Sequence, residues 1–174
     1  MTTRAQSINF LGTVETASAG SERVKRPGDT VLVERGTPRL LQMKCPCGCG
    51  DTLTINLDKR SGPAWRIYWR RGKLTLFPSY WRDTKCGSHF IVWNSQIYWC
   101  DWEDENDELW KRTSDIEDKV VAVLPTAFTS YEVIADQLGE LPWDVLRACQ
   151  NLVRKQIAVS NGPWHKGEFK RVRS

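Results

Sequence analysis

What this chain of 174 residues lacks excludes several classes of protein. No apolar run approaches the roughly 20 residues needed to cross a bilayer, and residues 1–10 lack the apolar segment of a signal peptide, so we expect a cytoplasmic protein with no membrane partner. Only two histidines are present, and this disfavours a catalytic zinc, which usually takes more histidine or carboxylate ligands. The formal charge of +4 is too small to indicate nucleic-acid binding by itself.

Cysteine, in contrast, is concentrated between positions 45 and 100. Five of the six cysteines lie in this stretch: Cys45, Cys47, Cys49, Cys86 and Cys100. In a reducing compartment such a cluster favours a metal over disulfides, and a disulfide within the first three cysteines would close a very small, strained ring. We therefore predict zinc as the cofactor, in a closed, tetrahedral, structural site. Which four of the cysteines bind it, or whether His89 replaces one of them, stays open.

The hydrophobic pattern predicts an α+β fold with two modules. Alternating apolar residues after position 30 predict strands, including a hairpin of His89–Trp93 and Gln96–Cys100 that is expected to bring Cys86 close to Cys100. Later, apolar residues recur at helical spacing and a last hairpin follows. We predict a polar segment with one strand (1–29), a β-rich, zinc-ribbon-like domain (30–102), an acidic linker (103–113) and a small winged helix-turn-helix domain (114–174).

Ser79, Ser88 and His89 are the candidate catalytic residues. A nucleophilic serine needs a base within hydrogen-bond reach, and a third group that orients the base. Ser88 and His89 are adjacent on a predicted strand and would point to opposite faces, so Ser79, from a neighbouring strand end, is the better partner for His89. Asp83 or Asp101 could orient the histidine. A single histidine beside serines does not by itself identify an enzyme.

Several motifs within residues 30–102 together resemble a known family. They are Cys-Pro-Cys-Gly-Cys-Gly from Cys45, Leu-x-Pro-Ser ending at Ser79, Cys-x-Ser-His-Phe-x-x-Trp from Cys86, and Trp99-Cys100. This combination is similar to the BubE-like family, which accompanies bacterial ubiquitin-like conjugation operons, often in phage-defence neighbourhoods. The resemblance implies a zinc-stabilised accessory protein whose partners are a ubiquitin-like protein or conjugation enzymes. It also implies a serine-type peptidase that processes or removes that protein, with Ser79, Ser88 and His89 as functional positions and the cysteines as zinc ligands.

The basic C-terminal region supports a competing function. If the helix from Pro142 to Gln156 entered the major groove of DNA, its own basic residues and those of the wing could contact phosphates. The candidates are Arg147, Arg154, Lys155, Lys166 and Lys170. Winged helices also dock proteins, and the sequence favours neither partner. The alternative is therefore a non-enzymatic zinc-ribbon and winged-helix regulator that binds DNA or protein.

Overall fold

The computed structural model describes residues 4–100, 116–162 and 167–172 of the chain. The fold is mixed α and β, as predicted, and the chain divides into two compact units, Met1–Asn106 and Asp107–Ser174. The predicted acidic linker lies outside the described residues. The same holds for Asp101 and Lys166.

Four strands form the first sheet of the N-terminal unit, and their order in the sheet is their order in the chain: β1 (Asn9–Val14), β2 (Asp29–Arg35), β3 (Thr37–Lys44) and β4 (Thr52–Asn56). The first two strands run parallel and the others antiparallel. Parallel neighbours need a crossover connection, and helix α1 (Ala17–Arg23) lies in it. The side chain of Thr16 accepts a hydrogen bond from the Ala19 backbone and caps that helix. The segment predicted as polar therefore holds a helix as well as a strand.

Four antiparallel strands form the second sheet: β5 (Arg66–Arg70), β6 (Lys73–Trp81), β7 (His89–Trp93) and β8 (Gln96–Trp99). Two-residue turns close two of its hairpins. Arg71 and Gly72 connect the first pair with φ of 49° and 72°, and Asn94 and Ser95 connect the last pair with φ of 50° and 63°. Positive φ at both turn residues matches the right-handed twist of the strands. The second of these is the hairpin predicted from the sequence.

The two sheets of the N-terminal unit share one hydrophobic core. The first sheet contributes residues such as Leu41 and Ile55, and the second contributes residues such as Leu76, Phe90 and Trp99. A smaller group of valines packs beside α1: Val14, Val24, Val31 and Val33. A short 3-10 turn, Lys59–Ser61, lies between the sheets in the chain. The loops at the ends of these strands carry the candidate site residues.

The C-terminal unit alternates helices with short strands: α2 (Ile116–Val123), β9 (Thr129–Ser130), α3 (Tyr131–Leu138), α4 (Pro142–Arg154), β10 (Ala158–Asn161) and β11 (Glu168–Arg171). The strands form an antiparallel sheet with β11 in the centre. Ser130 caps α3, Gly139 ends it with φ of 63°, and Pro142 begins α4. In the described parts of the chain, no helix has the length and apolar character needed to span a membrane.

Candidate active site and sulfur cluster

Four cysteine sulfurs meet where a loop of each sheet comes together. Cys45, Cys47 and Cys49 follow β3, and Cys86 lies between β6 and β7. All four Sγ atoms lie within 4.8 Å of one another, and Cys45 Sγ is 3.3 Å from Cys47 Sγ and 3.9 Å from Cys86 Sγ. A tetrahedral zinc with bonds of about 2.3 Å to each thiolate separates its sulfurs by about 3.8 Å. These four residues, which we call the sulfur cluster, therefore fit a four-thiolate metal site.

The fifth candidate ligand, Cys100, lies elsewhere. Its backbone N–H donates to the carbonyl of His89 at 2.9 Å, because Phe90 pairs with Trp99 in the β7–β8 hairpin. The hairpin thus places Cys100 opposite His89. Cys86 precedes β7 and is separated from it by a turn in which Gly87 has φ of 63°. Among the described residues, neither Cys100 nor His89 belongs to the sulfur cluster.

Ser88 is part of the surroundings of the sulfur cluster. It is only 3 % exposed, and its Oγ lies 3.1 Å from Cys86 Sγ and 3.7 Å from Cys45 Sγ. Burial raises the pKa of Cys86, but hydrogen bonds from Ser88 and the neighbouring thiols outweigh it and lower that pKa to about 6. At the deepest position, burial raises the pKa of the Cys45 thiol. A bound cation would supply the charge that keeps such a buried thiol ionised.

Ser79 and His89 form the second feature of the site. The imidazole Nε2 lies 3.2 Å from Ser79 Oγ, and both residues are half-buried. The contact is made across two antiparallel strands, because His89 of β7 pairs with Trp81 of β6, and Ser79 lies two residues before Trp81 on the same face. The indole N–H of Trp65 donates to the Ser79 carbonyl at 3.3 Å. This distance is within the hydrogen-bond reach that a nucleophilic serine and its base require.

Strand alternation separates the two candidate serines. Ser88 contacts the sulfur cluster, whereas the adjacent His89 contacts Ser79, so the structure brings only one of the two serines to the imidazole. Of the two predicted orienting residues, Asp83 is exposed between β6 and β7, and Asp101 lies outside the described residues.

The sequence did not single out Trp81. Its indole lies 5.8 Å from the His89 ring, with 35° between the ring planes, and 66 % of the residue is exposed. The only signal available in the sequence was its spacing of two residues from Ser79.

The basic residues predicted to contact DNA differ in their burial and in their contacts within the protein. Arg147 is only 8 % exposed, and Lys155 Nζ lies 2.5 Å from Glu117 Oε2. Lys170 Nζ lies 4.3 Å above the Phe128 ring, Arg154 is exposed, and Lys166 lies outside the described residues. This arrangement gives no support to a phosphate-binding surface on α4.

Comparison with known proteins bears on the part of the chain that carries this site. Residues 16–100 match the BubE family model. Its description is a bacterial ubiquitination-like system serine protease. The BubE match covers both sheets from β2 onward and includes Ser79, His89 and the sulfur cluster, which supports the resemblance noted in the sequence. The C-terminal unit lies outside it. No curated protein and no solved structure matches the chain.

Proposed function

We propose that the N-terminal unit is a serine peptidase that cleaves a ubiquitin-like protein from a C-terminal extension or from a conjugate. The observation that carries this proposal is the 3.2 Å contact between Ser79 Oγ and His89 Nε2. The BubE match over residues 16–100 supports the choice of substrate, because the description of that family names both a ubiquitination-like system and a serine protease.

The chemistry follows from the placement of the two side chains. With the ring proton on Nδ1, His89 Nε2 accepts the Ser79 hydroxyl proton as Oγ attacks the carbonyl carbon of the substrate. The carbon–nitrogen bond then breaks, and Nε2 returns the proton to the departing amine. Water, deprotonated by the same imidazole, hydrolyses the Ser79 ester and releases the carboxylate. This mechanism requires a neutral His89 in the free enzyme.

We also propose that the sulfur cluster holds zinc. When bound, zinc would cross-link the loop after β3 to the loop before β7. Cys45, Cys47, Cys49 and Cys86 would fill all four coordination positions, so the site would be structural. The metal would then have no open position for a water nucleophile, and Ser79 would supply the nucleophile. Because the chain runs from Cys86 directly into Ser88 and His89, holding that loop fixes the beginning of β7 and the position of the base.

The test uses the full chain and a ubiquitin-like protein with a short C-terminal extension. Ser79→Ala and His89→Ala should each abolish release of the extension, while zinc content and melting temperature stay close to those of the wild type. A fluorophosphonate probe should label the wild type at Ser79. Ser61→Ala, an exposed serine of the same unit, is the matched control and should keep full activity. Turnover by Ser79→Ala at the wild-type rate would contradict the proposal.

For the C-terminal unit we propose a winged helix-turn-helix fold. The order of its described elements supports this, since α2, α3 and α4 are followed by a hairpin and the short strand β9 joins that hairpin in one sheet. DNA is not the partner we propose, because Arg147 of α4 is buried and Lys155 is paired with Glu117. We expect no retardation of a DNA duplex by the full chain at low salt. Binding that weakens steeply with added salt would restore the DNA alternative.

A further inference from the structure

We infer that Trp81 determines specificity in the proposed peptidase, by packing on the aliphatic part of the leaving group. This inference rests on the proposed function and assigns a role to a residue outside the Ser79–His89 pair. Trp81 is the most exposed of the large hydrophobic residues described, at 66 %. Exposing so much indole surface sacrifices burial free energy. The residue's position beside the imidazole gives that exposed surface a use.

The register of the strands defines the side of the nucleophile on which the indole lies. Trp81 is paired with His89, whose Nε2 nevertheless reaches Ser79, two residues back along β6. The imidazole is therefore next to both residues, with Nε2 at 3.2 Å from Ser79 Oγ and its ring centroid at 5.8 Å from that of the indole. Trp81 is therefore on the histidine side of the reacting carbonyl.

The histidine side is where the leaving group departs. In acyl transfer, the base that deprotonates the serine later protonates the departing amine, so the amine nitrogen must pass close to Nε2. The substituent on that nitrogen then lies next to the indole ring, which is tilted by 35° from the imidazole and open to solvent. An exposed indole face offers apolar contact area and no obligatory hydrogen bond.

This surface fits a leaving amine with an aliphatic stem. A lysine side chain attached through its Nζ presents four methylene groups to the ring, whereas a methylamine presents nothing that reaches it. The chemical class we assign to the leaving group is therefore an alkylamine of lysine length. Loss of the packing surface should remove about tenfold of the preference for such an amine, which is the effect of one or two methylene contacts in a specificity pocket.

The experiment compares two amides that share the same acyl part, the C-terminal carboxyl of a ubiquitin-like protein. One is formed with the side chain of Nα-acetyl-lysine methylamide and the other with methylamine. The quantity measured is the ratio of the two kcat/KM values, lysine amide over methylamide. We expect Trp81→Ala to lower this ratio about tenfold, and Trp81→Phe to retain most of it, because the phenyl ring keeps an apolar face. Trp69→Ala, an exposed tryptophan on the opposite face of the same sheet, is the control and should leave the ratio unchanged.

Each outcome decides one question. A lowered ratio in Trp81→Ala, together with an unchanged ratio in Trp69→Ala, supports the inference. An unchanged ratio overturns it, even where both rates fall together, because an equal loss means that the indole only positions His89. If the wild type hydrolyses neither amide and no probe labels Ser79, the proposed peptidase fails and the inference fails with it.

Discussion

Replacing Ser88 by alanine should weaken metal binding and leave the nucleophile in place. The residue is 3 % exposed, and its hydroxyl lies 3.1 Å from Cys86 Sγ. A hydrogen bond to an ionised group contributes about 1.5–3 kcal/mol, and removal of such an outer partner usually weakens metal binding about 10- to 100-fold. We therefore expect Ser88→Ala to lower the zinc affinity of the full chain by a factor in that range.

The assay is competition for zinc with a coloured chelator, run in parallel with turnover of an extended ubiquitin-like protein at saturating zinc. Ser79→Ala is the matched control, since it removes the same hydroxyl from the opposite face of the sheet. It should abolish turnover and leave zinc affinity within about twofold of the wild type. Ser88→Ala should weaken zinc binding and retain turnover at saturating zinc.

Two results would refute this reasoning. If Ser88→Ala lost turnover while its zinc affinity stayed unchanged, Ser88 would be the nucleophile and the contact between Ser79 and His89 would have no catalytic role. If Ser79→Ala weakened zinc binding as much as Ser88→Ala, the two faces of the strand would not be chemically separate.

Two further pairs of variants test the metal site and the C-terminal unit. Cys86→Ser should lose stoichiometric zinc on elemental analysis, whereas Cys100→Ser should retain it, because Cys100 lies outside the sulfur cluster. Glu117→Gln should lower the free energy of unfolding by about 2 kcal/mol, through loss of the charged hydrogen bond with Lys155, while the exposed Asp118→Asn on the same helix changes it little. Burial raises the pKa of Glu117, but its bond with Lys155 outweighs this and lowers that pKa overall. The contribution is therefore present above the usual carboxyl range and disappears as the pH falls through the lowered value, so acid titrations of wild type and Glu117→Gln should converge at low pH.

The strands of the second sheet could be predicted from the sequence because their signals are local. Apolar alternation marks the buried face, and residues that tolerate positive φ, such as Asn94, mark the turns. Helix α1 was not predicted, because its sequence carries little of this local signal. It has seven residues, only Gly20 of them is buried, and so no apolar periodicity at helical spacing reveals it. The cap at Thr16 and the basic Arg23 in the last turn were its local signals.

The candidate site could be predicted where it depends on alternation, but not where it depends on the geometry of a turn. Alternation alone sends Ser88 and His89 to opposite faces, and leaves Ser79 as the serine able to meet the imidazole. For the second hairpin, the sequence indicates that its ends approach each other, but the register decides which residues are opposite. Cys100 faces His89, and Gly87 turns Cys86 away toward the other sheet. The geometry of this turn therefore decides that Cys86, and not Cys100, joins the sulfur cluster.

Burial of the basic residues could not be predicted, because a helical pattern shows which residues share a face and not how many faces are covered. Helix α4 has apolar residues on one face, and binding of DNA by this helix would require its basic residues to be exposed on the opposite face. In the structure, Arg147 and Asn151 are buried as well, and Asn151 donates to Glu117 of α2. The polar residues Arg147 and Asn151 of the helix are thus buried within the C-terminal unit and are not exposed on its surface.

The register of β7 controls both the proposed metal site and the proposed catalytic pair. Ser88 and His89 are adjacent, so a slip of one residue would turn each side chain to the other face and destroy both contacts at once. Two backbone hydrogen bonds oppose such a slip, from Arg82 N–H to the Ser88 carbonyl at 2.8 Å and from Cys100 N–H to the His89 carbonyl at 2.9 Å. The donors directly follow β6 and β8, the strands on either side of β7. A metal on Cys86 would add a third constraint, two residues before Ser88. For this reason a structural zinc would be useful to the proposed serine peptidase, since it would fix the register on which the position of the proposed base depends.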